Sequence, residues 1–177
     1  QKAENAPDGP GFRIILPAMR PQDAADHRPE TPLRTVLEAY DPIGVIIVHY
    51  RTPDDLRLAL QSLRFQGQPL QVVVVDASEE PQVRSWFHVA VEWLGDVRLV
   101  ERPDNPGFGA ACHAGWSALN EDVDPVCIAN ADVVFPPGAL QNLAAFMTTQ
   151  PDAGAVGPQI QSPDGLIEPS WGAPITF

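Results

Sequence analysis

VCIANAD at residues 126–132 is a short apolar run that ends in a carboxylate, and a second apolar run follows at residues 133–135. A run of this length and composition is typical of a strand that is buried on both faces of a sheet. In open α/β sheets, ligands bind at the carboxyl ends of such strands. The Asn and Asp side chains, with Pro136-Pro137-Gly138 behind them, also favour a simple turn, and that alternative stays open for this segment alone.

The composition narrows the class of protein. The chain has 177 residues and is 44% hydrophobic, which suits one domain with a sizeable core. Its net charge of −12 argues against nucleic acid as a partner, because a phosphate backbone would be repelled. A nucleoside diphosphate could still bind if a divalent cation lay between the phosphates and the acidic side chains.

The cysteine count and the hydropathy indicate a compartment. Cys112 and Cys127 have no CxxC spacing, so neither a disulfide framework nor a zinc site is predicted, and free thiols suit the cytoplasm. No apolar stretch approaches the about 18 residues of a membrane span, and the amino terminus lacks a signal pattern. We predict a cytoplasmic location, with any association with the inner face of a membrane made through partners.

The chain divides by pattern into a leader and one main domain. Residues 1–32 are rich in Pro, Asp and Ala and predict an irregular leader, with one candidate strand at residues 12–16. Thr31 and Pro32 could begin a short helix that runs to Glu38. Residues 33–177 are predicted to form the main domain.

Apolar runs and helical periodicity alternate through this domain. Strands are predicted at residues 44–50, 71–76, 96–100, 126–129 and 153–157, and helices from Thr52, at 79–93, at 110–119 and from about 137 to 148. A turn at residues 162–165 could join two strands of a hairpin. The alternation predicts an α/β fold with a mostly parallel sheet and helices on both faces.

Polar residues follow several of these strands. Tyr50-Arg51, Asp76 and Asn130-Ala131-Asp132 each stand at the carboxyl end of a predicted strand, and Asn105-Pro106-Gly107-Phe108-Gly109 opens a helix. A parallel sheet brings all four segments to the same edge, so we expect one binding site there. Carboxylate and amide oxygens at such a site suit Mg²⁺ or Mn²⁺.

The order of these motifs resembles that of the family 2 glycosyltransferases with the GT-A fold, and within them the rhamnosyltransferase-like branch. Val48-His49-Tyr50-Arg51 is similar to the family's Val-Thr-Tyr-Asn, and Val74-Val75-Asp76-Ala77-Ser78 to its Val-Val-Asp-Asn-Ser. The resemblance runs from about Ile43 to Ser170. The remaining matching segments are residues 105–109, 130–132, 154–158 and 163–165.

The resemblance implies an inverting glycosyltransferase that takes a UDP- or dTDP-sugar donor and a glycan, polysaccharide or lipid-linked acceptor. Asp76 would accept a hydrogen bond from the uracil or thymine ring, and Asp132 would ligate the Mg²⁺ or Mn²⁺ at the diphosphate. Asn130 would contact the ribose or a metal-bound water. The residues implied to bind the nucleotide-sugar are Tyr50, Arg51, Asp76, Asn105, Gly107, Phe108, Gly109, Asn130 and Asp132.

The sequence also departs from the family pattern. Arg51 replaces the usual Asn, Asn130 replaces an Asp, and Cys112-His113 stands where Asn-Asn is common. Family members continue with an acceptor-binding half that holds the catalytic base, and nothing after Ser170 resembles it, so this half is expected to be missing. Among the later carboxylates, Glu168 is the candidate base, because a late hairpin could bring it to the pocket.

Other interpretations remain open at this stage. The chain could be a non-catalytic nucleotide-sugar-binding or interaction module, and a homo-oligomer is compatible with either function. Gly107-x-Gly109 is part of a dinucleotide fingerprint and allows an oxidoreductase, although that fingerprint normally follows the first strand directly. Asp76 could simply cap the next turn. His49 and His113 are interpreted as packed or surface histidines, because a single His defines no site.

Overall fold

The computed structural model describes residues 41–78, 80–121 and 123–168. The described residues up to 154 belong to one compact unit, and residues 155–168 belong to a second. The predicted leader, its candidate strand at residues 12–16 and the short helix at residues 31–38 lie outside the described residues.

The first unit alternates strands and helices along the chain, as the apolar pattern predicted. Its elements are β1 Ile43–His49, α1 Pro53–Leu63, β2 Leu70–Asp76, α2 Pro81–Leu94, β3 Asp96–Glu101, α3 Phe108–Trp116, β4 Val126–Asn130 and α4 Ala139–Thr148. The sheet has the order β3-β2-β1-β4, and all three pairings are parallel. The chain therefore builds outward from β1 to β3 and then crosses back to place β4 on the other side of β1.

Helices cover both faces of the sheet, which confirms the predicted arrangement. On one face, Val45 and Ile47 of β1 belong to a buried cluster with Leu60 of α1. On the opposite face, Ile46 packs in a second cluster with Ala111 of α3. Successive residues of a strand point to opposite faces, so an unbroken apolar run is what a doubly covered strand requires.

Gly115 sets how closely α3 approaches the sheet. A Cβ atom at this position would lie 2.5 Å from Cγ2 of Ile46 and 3.1 Å from Cγ2 of Val75. These separations are shorter than van der Waals contact, so the helix can sit this close only because residue 115 has no side chain.

The structure corrects one strand prediction, made for residues 153–157. Residues 153–157 are not a strand, because the Ala153 N–H is bonded to the Gln150 carbonyl in a turn and is not available to a neighbouring strand. The predicted hairpin is present instead, with β5 Ile160–Gln161 antiparallel to β6 Ile167–Glu168. Its turn has Gly165 at a φ of +87°, a value that favours glycine.

No helix within the described parts of the chain is both long and apolar enough to cross a membrane.

Candidate functional site

A pocket of about 300 Å³ opens at the carboxyl edge of the parallel sheet, where β1 and β4 end side by side. The chain leaves β1 toward β2 on one side and reaches β4 on the other, so this is the point where the strand order reverses. Open α/β sheets bind ligands at such points. Six of the predicted binding residues line the pocket, namely Tyr50, Asn105, Gly107, Phe108, Asn130 and Asp132.

The other three predicted residues lie next to lining residues. Arg51 is exposed, and its guanidinium carbon stands 4.9 Å from the centroid of the Tyr50 ring. Gly109 is exposed in the first turn of α3. Asp76 is 2% exposed and immediately precedes Ala77, which does line the pocket. The structure thus brings the predicted set to one edge of the sheet.

The loop between β3 and α3 presents an aromatic ring at the pocket. Asn105 and Gly107 have positive φ values of 41° and 84°, which Asn tolerates and Gly adopts readily. The Asn105 N–H donates to the Arg102 carbonyl at 3.0 Å. Arg102 also makes two hydrogen bonds to Asp104, at 3.0 and 2.9 Å, and this guanidinium lowers the pKa of the Asp104 carboxyl group. The turned loop leaves the Phe108 ring 52% exposed, available to pack on a ligand.

The end of β4 supplies the oxygen atoms on the other side of the pocket. Ala131 is buried and anchors the turn, whereas Asn130 and Asp132 on either side of it are exposed. Among the described residues, no group of three or more His, Cys, Asp or Glu side chains could hold a metal ion. Mg²⁺ is commonly bound by one or two carboxylates together with substrate phosphates, and one carboxylate plus one amide oxygen fits that mode of binding.

Asp76 has more contacts than the sequence suggested. Its Oδ1 accepts hydrogen bonds from the Ser78 N–H at 2.9 Å and from the Ser78 hydroxyl at 2.7 Å. The bond to the backbone two residues on is the local turn that the capping interpretation expected. His49 Nδ1 adds a third contact to the same oxygen, at 3.0 Å.

His49 is a residue whose role sequence reasoning missed. It is fully buried at the end of β1, and the parallel register places it directly opposite Asp76. The Thr52 N–H donates to His49 Nε2 at 3.0 Å, so Nε2 is an acceptor and Nδ1 carries the proton that goes to Asp76. The available signal was that His49 is a polar residue at the end of an apolar strand, and that the next strand along the chain ends in Asp76.

The remaining candidates lie elsewhere. His113 is exposed on α3, as the surface interpretation predicted. Glu168 is exposed on β6, in the second compact unit. Cys112 and Cys127 are both free thiols, as predicted, and burial raises the pKa of Cys127 to about 11.

Comparison with known proteins places this architecture among glycosyltransferases. The model of the family described as Glycosyl transferase family 2 matches residues 44–173. A protein named N-acetylglucosaminyl-diphospho-decaprenol L-rhamnosyltransferase, from two strains of Mycobacterium tuberculosis, is 32% identical over 143 residues. That match covers 73% of this chain and 45% of the relative, so the chain spans about half the length of the curated relatives it matches.

Solved structures have the same fold at lower identity. The mannosyltransferase PcManGT from Pyrobaculum calidifontis, in complex with GDP-Man and Mn²⁺, has a TM-score of 0.55 at 23% identity. That alignment covers 71% of this chain and 37% of PcManGT. TarS from S. aureus has a TM-score of 0.54 at 20% identity, over 61% of this chain and 20% of TarS. These neighbours and the parallel sheet identify the fold as GT-A.

Proposed function

Because this chain belongs to glycosyltransferase family 2, we propose that its pocket binds a nucleotide-sugar donor with a divalent cation. The whole protein would then transfer the sugar, with inversion, to a glycan, polysaccharide or lipid-linked acceptor. The observation that carries the proposal is the pocket itself. Asn130 and Asp132 line it, and Asp76 immediately precedes Ala77, which also lines it.

The two sides suit the two ends of a nucleoside diphosphate. Asp76 would accept a hydrogen bond from the ring N–H of uracil or thymine, because a carboxylate is a strong acceptor. Phe108 and Tyr50, both more than 40% exposed, offer ring faces against which a base or sugar can pack. The relative's name includes an L-rhamnosyl group and a diphospho-decaprenol lipid, which supports a deoxyhexose as the transferred sugar and a lipid-linked acceptor here.

The diphosphate end needs positive charge, because the protein has a net charge of −12. Asp132 and Asn130 would hold Mg²⁺ or Mn²⁺, and the bound metal would act as a Lewis acid that stabilises the departing diphosphate. The exposed Arg51 guanidinium, stacked beside Tyr50, adds a second positive charge at this edge. An inverting transfer also needs a base that takes the proton of the acceptor hydroxyl. We propose that the acceptor-binding half of the whole protein supplies this base, with Glu168 as the candidate within this chain.

Calorimetry with UDP and dTDP tests the metal-dependent binding. We expect binding in the presence of Mn²⁺ and a clear loss of affinity when the metal is chelated, because the acidic protein repels a bare diphosphate. Asp132→Asn should bind weakly whether or not Mn²⁺ is present. Glu92→Gln is the matched control, because Glu92 is exposed on α2 and the change removes the same unit of negative charge.

The outcomes separate the parts of this proposal. Equal affinity with and without chelator would exclude the metal role of Asp132. Tighter binding in both variants would mean that Asp132 acts only through its negative charge. Failure to bind either nucleotide would overturn the donor pocket. Preferential binding of GDP would overturn the specificity for uracil or thymine, although Asp76 could still accept the ring N–H of guanine.

A non-catalytic binding module is the second candidate, and it is favoured by the replacement of an Asp by Asn130 in the metal-binding motif. Sugar-transfer and hydrolysis assays with a UDP-sugar distinguish the two. Turnover that falls by about 10²–10⁴ in Glu168→Gln supports the enzyme and its base. Tight nucleotide binding without turnover by the full-length protein supports the module.

A further inference from the structure

His49 carries a pair of hydrogen bonds that join the end of β1 to two different segments. The ring is fully buried, and a buried polar ring is tolerated only when both nitrogens have partners. Nδ1–H donates to Asp76 Oδ1 at 3.0 Å, and Nε2 accepts from the Thr52 N–H at 3.0 Å. Both nitrogens are therefore used, and the neutral tautomer with its proton on Nδ1 is the one that fits.

The contacts of Asp76 fall on one of its two oxygens. Among the described residues, every hydrogen bond to this carboxyl group goes to Oδ1, from His49 and from the N–H and hydroxyl of Ser78. No fully buried side-chain oxygen in the described part of the chain lacks a partner, so Oδ2 lies on the 3% of the side chain that solvent reaches. Rotation of the carboxyl group would break three bonds, so Oδ2 is held in one direction.

The same contacts connect two segments that line the pocket. Thr52, which is bonded to the His49 ring, precedes α1, and Ala77 donates its N–H to the His49 carbonyl at 2.9 Å. Both Thr52 and Ala77 line the pocket. His49 does not line the pocket itself, but it is hydrogen-bonded to these two residues that do.

We propose that His49 is a positioning residue for the nucleotide base, which holds Asp76 with Oδ2 directed to accept a ring N–H. The inference rests on the proposed nucleotide-sugar site and deepens it. A ligand N–H would meet a carboxylate whose orientation is already fixed, so little conformational freedom is lost on binding. A residue that merely fills the core would stabilise the fold without affecting recognition of the base.

Two substitutions at His49 separate the two ring nitrogens. His49→Asn keeps an N–H near the position of Nδ1 but cannot reach Thr52, whereas His49→Gln keeps an acceptor near Nε2 and loses the donor to Asp76. We expect His49→Gln to lower the affinity for UDP or dTDP with Mn²⁺ by about tenfold or more, as for loss of a hydrogen bond to a charged group. His49→Asn should stay within about threefold of wild type. Binding of Mn²⁺ with pyrophosphate, which has no base, should be the same in both variants.

A double-mutant cycle with Asp76→Asn tests whether His49 acts through Asp76. We expect His49→Gln to cause no further loss of UDP affinity in the Asp76→Asn background. Equal losses in His49→Asn and His49→Gln, a full additional loss in the cycle, or weaker pyrophosphate binding would each assign His49 a structural role and overturn the inference.

Nitrogen NMR of the wild-type imidazole gives a readout that needs neither a variant nor a nucleotide. A protonated Nδ1 with an unprotonated Nε2 supports the inference, and the opposite tautomer overturns it even if nucleotides bind. A wild-type chain with the expected tautomer that binds neither UDP nor dTDP would overturn the proposed function, and His49 would then be a structural residue only.

Discussion

β1 and β2 are buried along nearly all of their length, whereas β4, which pairs with the other side of β1, is half-exposed and leaves Ile128 49% exposed. All three strands end at the same pocket. The polar residues at the ends of β1 and β2 are buried and bonded to each other. By contrast, Asn130 at the end of β4 and Asp132 just beyond it are exposed to solvent.

This contrast indicates how the proposed nucleotide-binding edge can be divided between two kinds of chemistry. On the buried side, hydrogen bonds within the protein fix the direction of a carboxylate before any ligand arrives, so recognition depends on the fold. On the exposed side, a carboxylate and an amide keep their oxygen atoms open to water, a cation and phosphates. Stability should therefore depend on the buried side, and metal dependence on the exposed side.

The largest expected effect is on stability, and it tests this contrast directly. Asp76→Ala removes the acceptor of the His49 ring and of the Ser78 N–H, and each buried donor left without a partner costs about 1–3 kcal/mol. We expect the free energy of unfolding to fall by about 3 kcal/mol or more. Asp132→Ala is the control, and because Asp132 is exposed the change should stay within about 0.5 kcal/mol.

Urea denaturation of the two variants measures both values. A similar loss of stability in the two variants would mean that the two ends of the pocket do not differ as proposed. Asp76→Asn refines the result, since an amide oxygen can still accept one hydrogen bond and should recover part of the loss.

A second prediction examines the packing beneath the buried side. Gly115→Ala would place a Cβ atom 2.5 Å from Ile46 and 3.1 Å from Val75, so the helix or the strands must move. Overpacking of this kind costs about 1–3 kcal/mol and should exceed the gain of up to about 1 kcal/mol in helix propensity. Thermal unfolding measures the change.

Gly109→Ala is the matched control in the same helix. Apart from its chain neighbours and the backbone of its own helix, nothing lies within 4 Å of a Cβ at that position, so the variant should be as stable as wild type or slightly more stable. Opposite signs for the two glycines are expected. A neutral Gly115→Ala would contradict the close approach of α3 to β1 and β2.

The fold could be predicted well from the sequence because its central strands carry a strong signal. The unbroken runs of Val and Ile in β1 and β2 belong to strands covered on both faces, and both were predicted from that pattern. The run at 126–129 has the same character, yet Ile128 is exposed. The burial of a strand depends on which elements pack against it, and the local sequence pattern does not specify those elements. The strand predicted at 153–157 was wrong for a related reason, since this apolar run pairs with no strand in the described part of the chain and begins at the end of a turn.

The candidate site could be predicted in part. Residues just beyond the ends of strands, such as Tyr50 and Asp132, could be placed at the carboxyl edge of the sheet because parallel strands end together. The contact between His49 and Asp76 could not be predicted, because it depends on the register between β1 and β2 and the sequence does not state a register. The functional roles of both groups stay predictions that the binding experiments decide.

The effect that is smallest near neutral pH concerns the inner side of β4, because it appears only at high pH. Cys127 lies on this half-exposed strand but packs against the buried cluster beneath it, and burial raises the pKa of its thiol to about 11 from an ordinary 9.0. Burial raises the pKa of Cys112 on α3 as well. We expect both thiols to react slowly at pH 8 in the folded protein, with Cys112 modified first and Cys127 modified only when the strand opens.

The pH dependence of stability follows from the same shift. The folded pKa of Cys127 is above the unfolded value, so the stability that comes from the neutral thiol is complete below pH 9 and is lost as the pH rises through 11. Over that window the free energy of unfolding should fall by at most about 1.4 kcal/mol per pH unit from this residue. Cys127→Ala should flatten the fall and Cys112→Ala should change it less, as measured by urea denaturation between pH 8 and 11. If Cys127 were modified as fast as Cys112, both faces of β4 would be accessible to solvent. The difference in burial between β4 and the two strands β1 and β2 would then be larger than the structure shows.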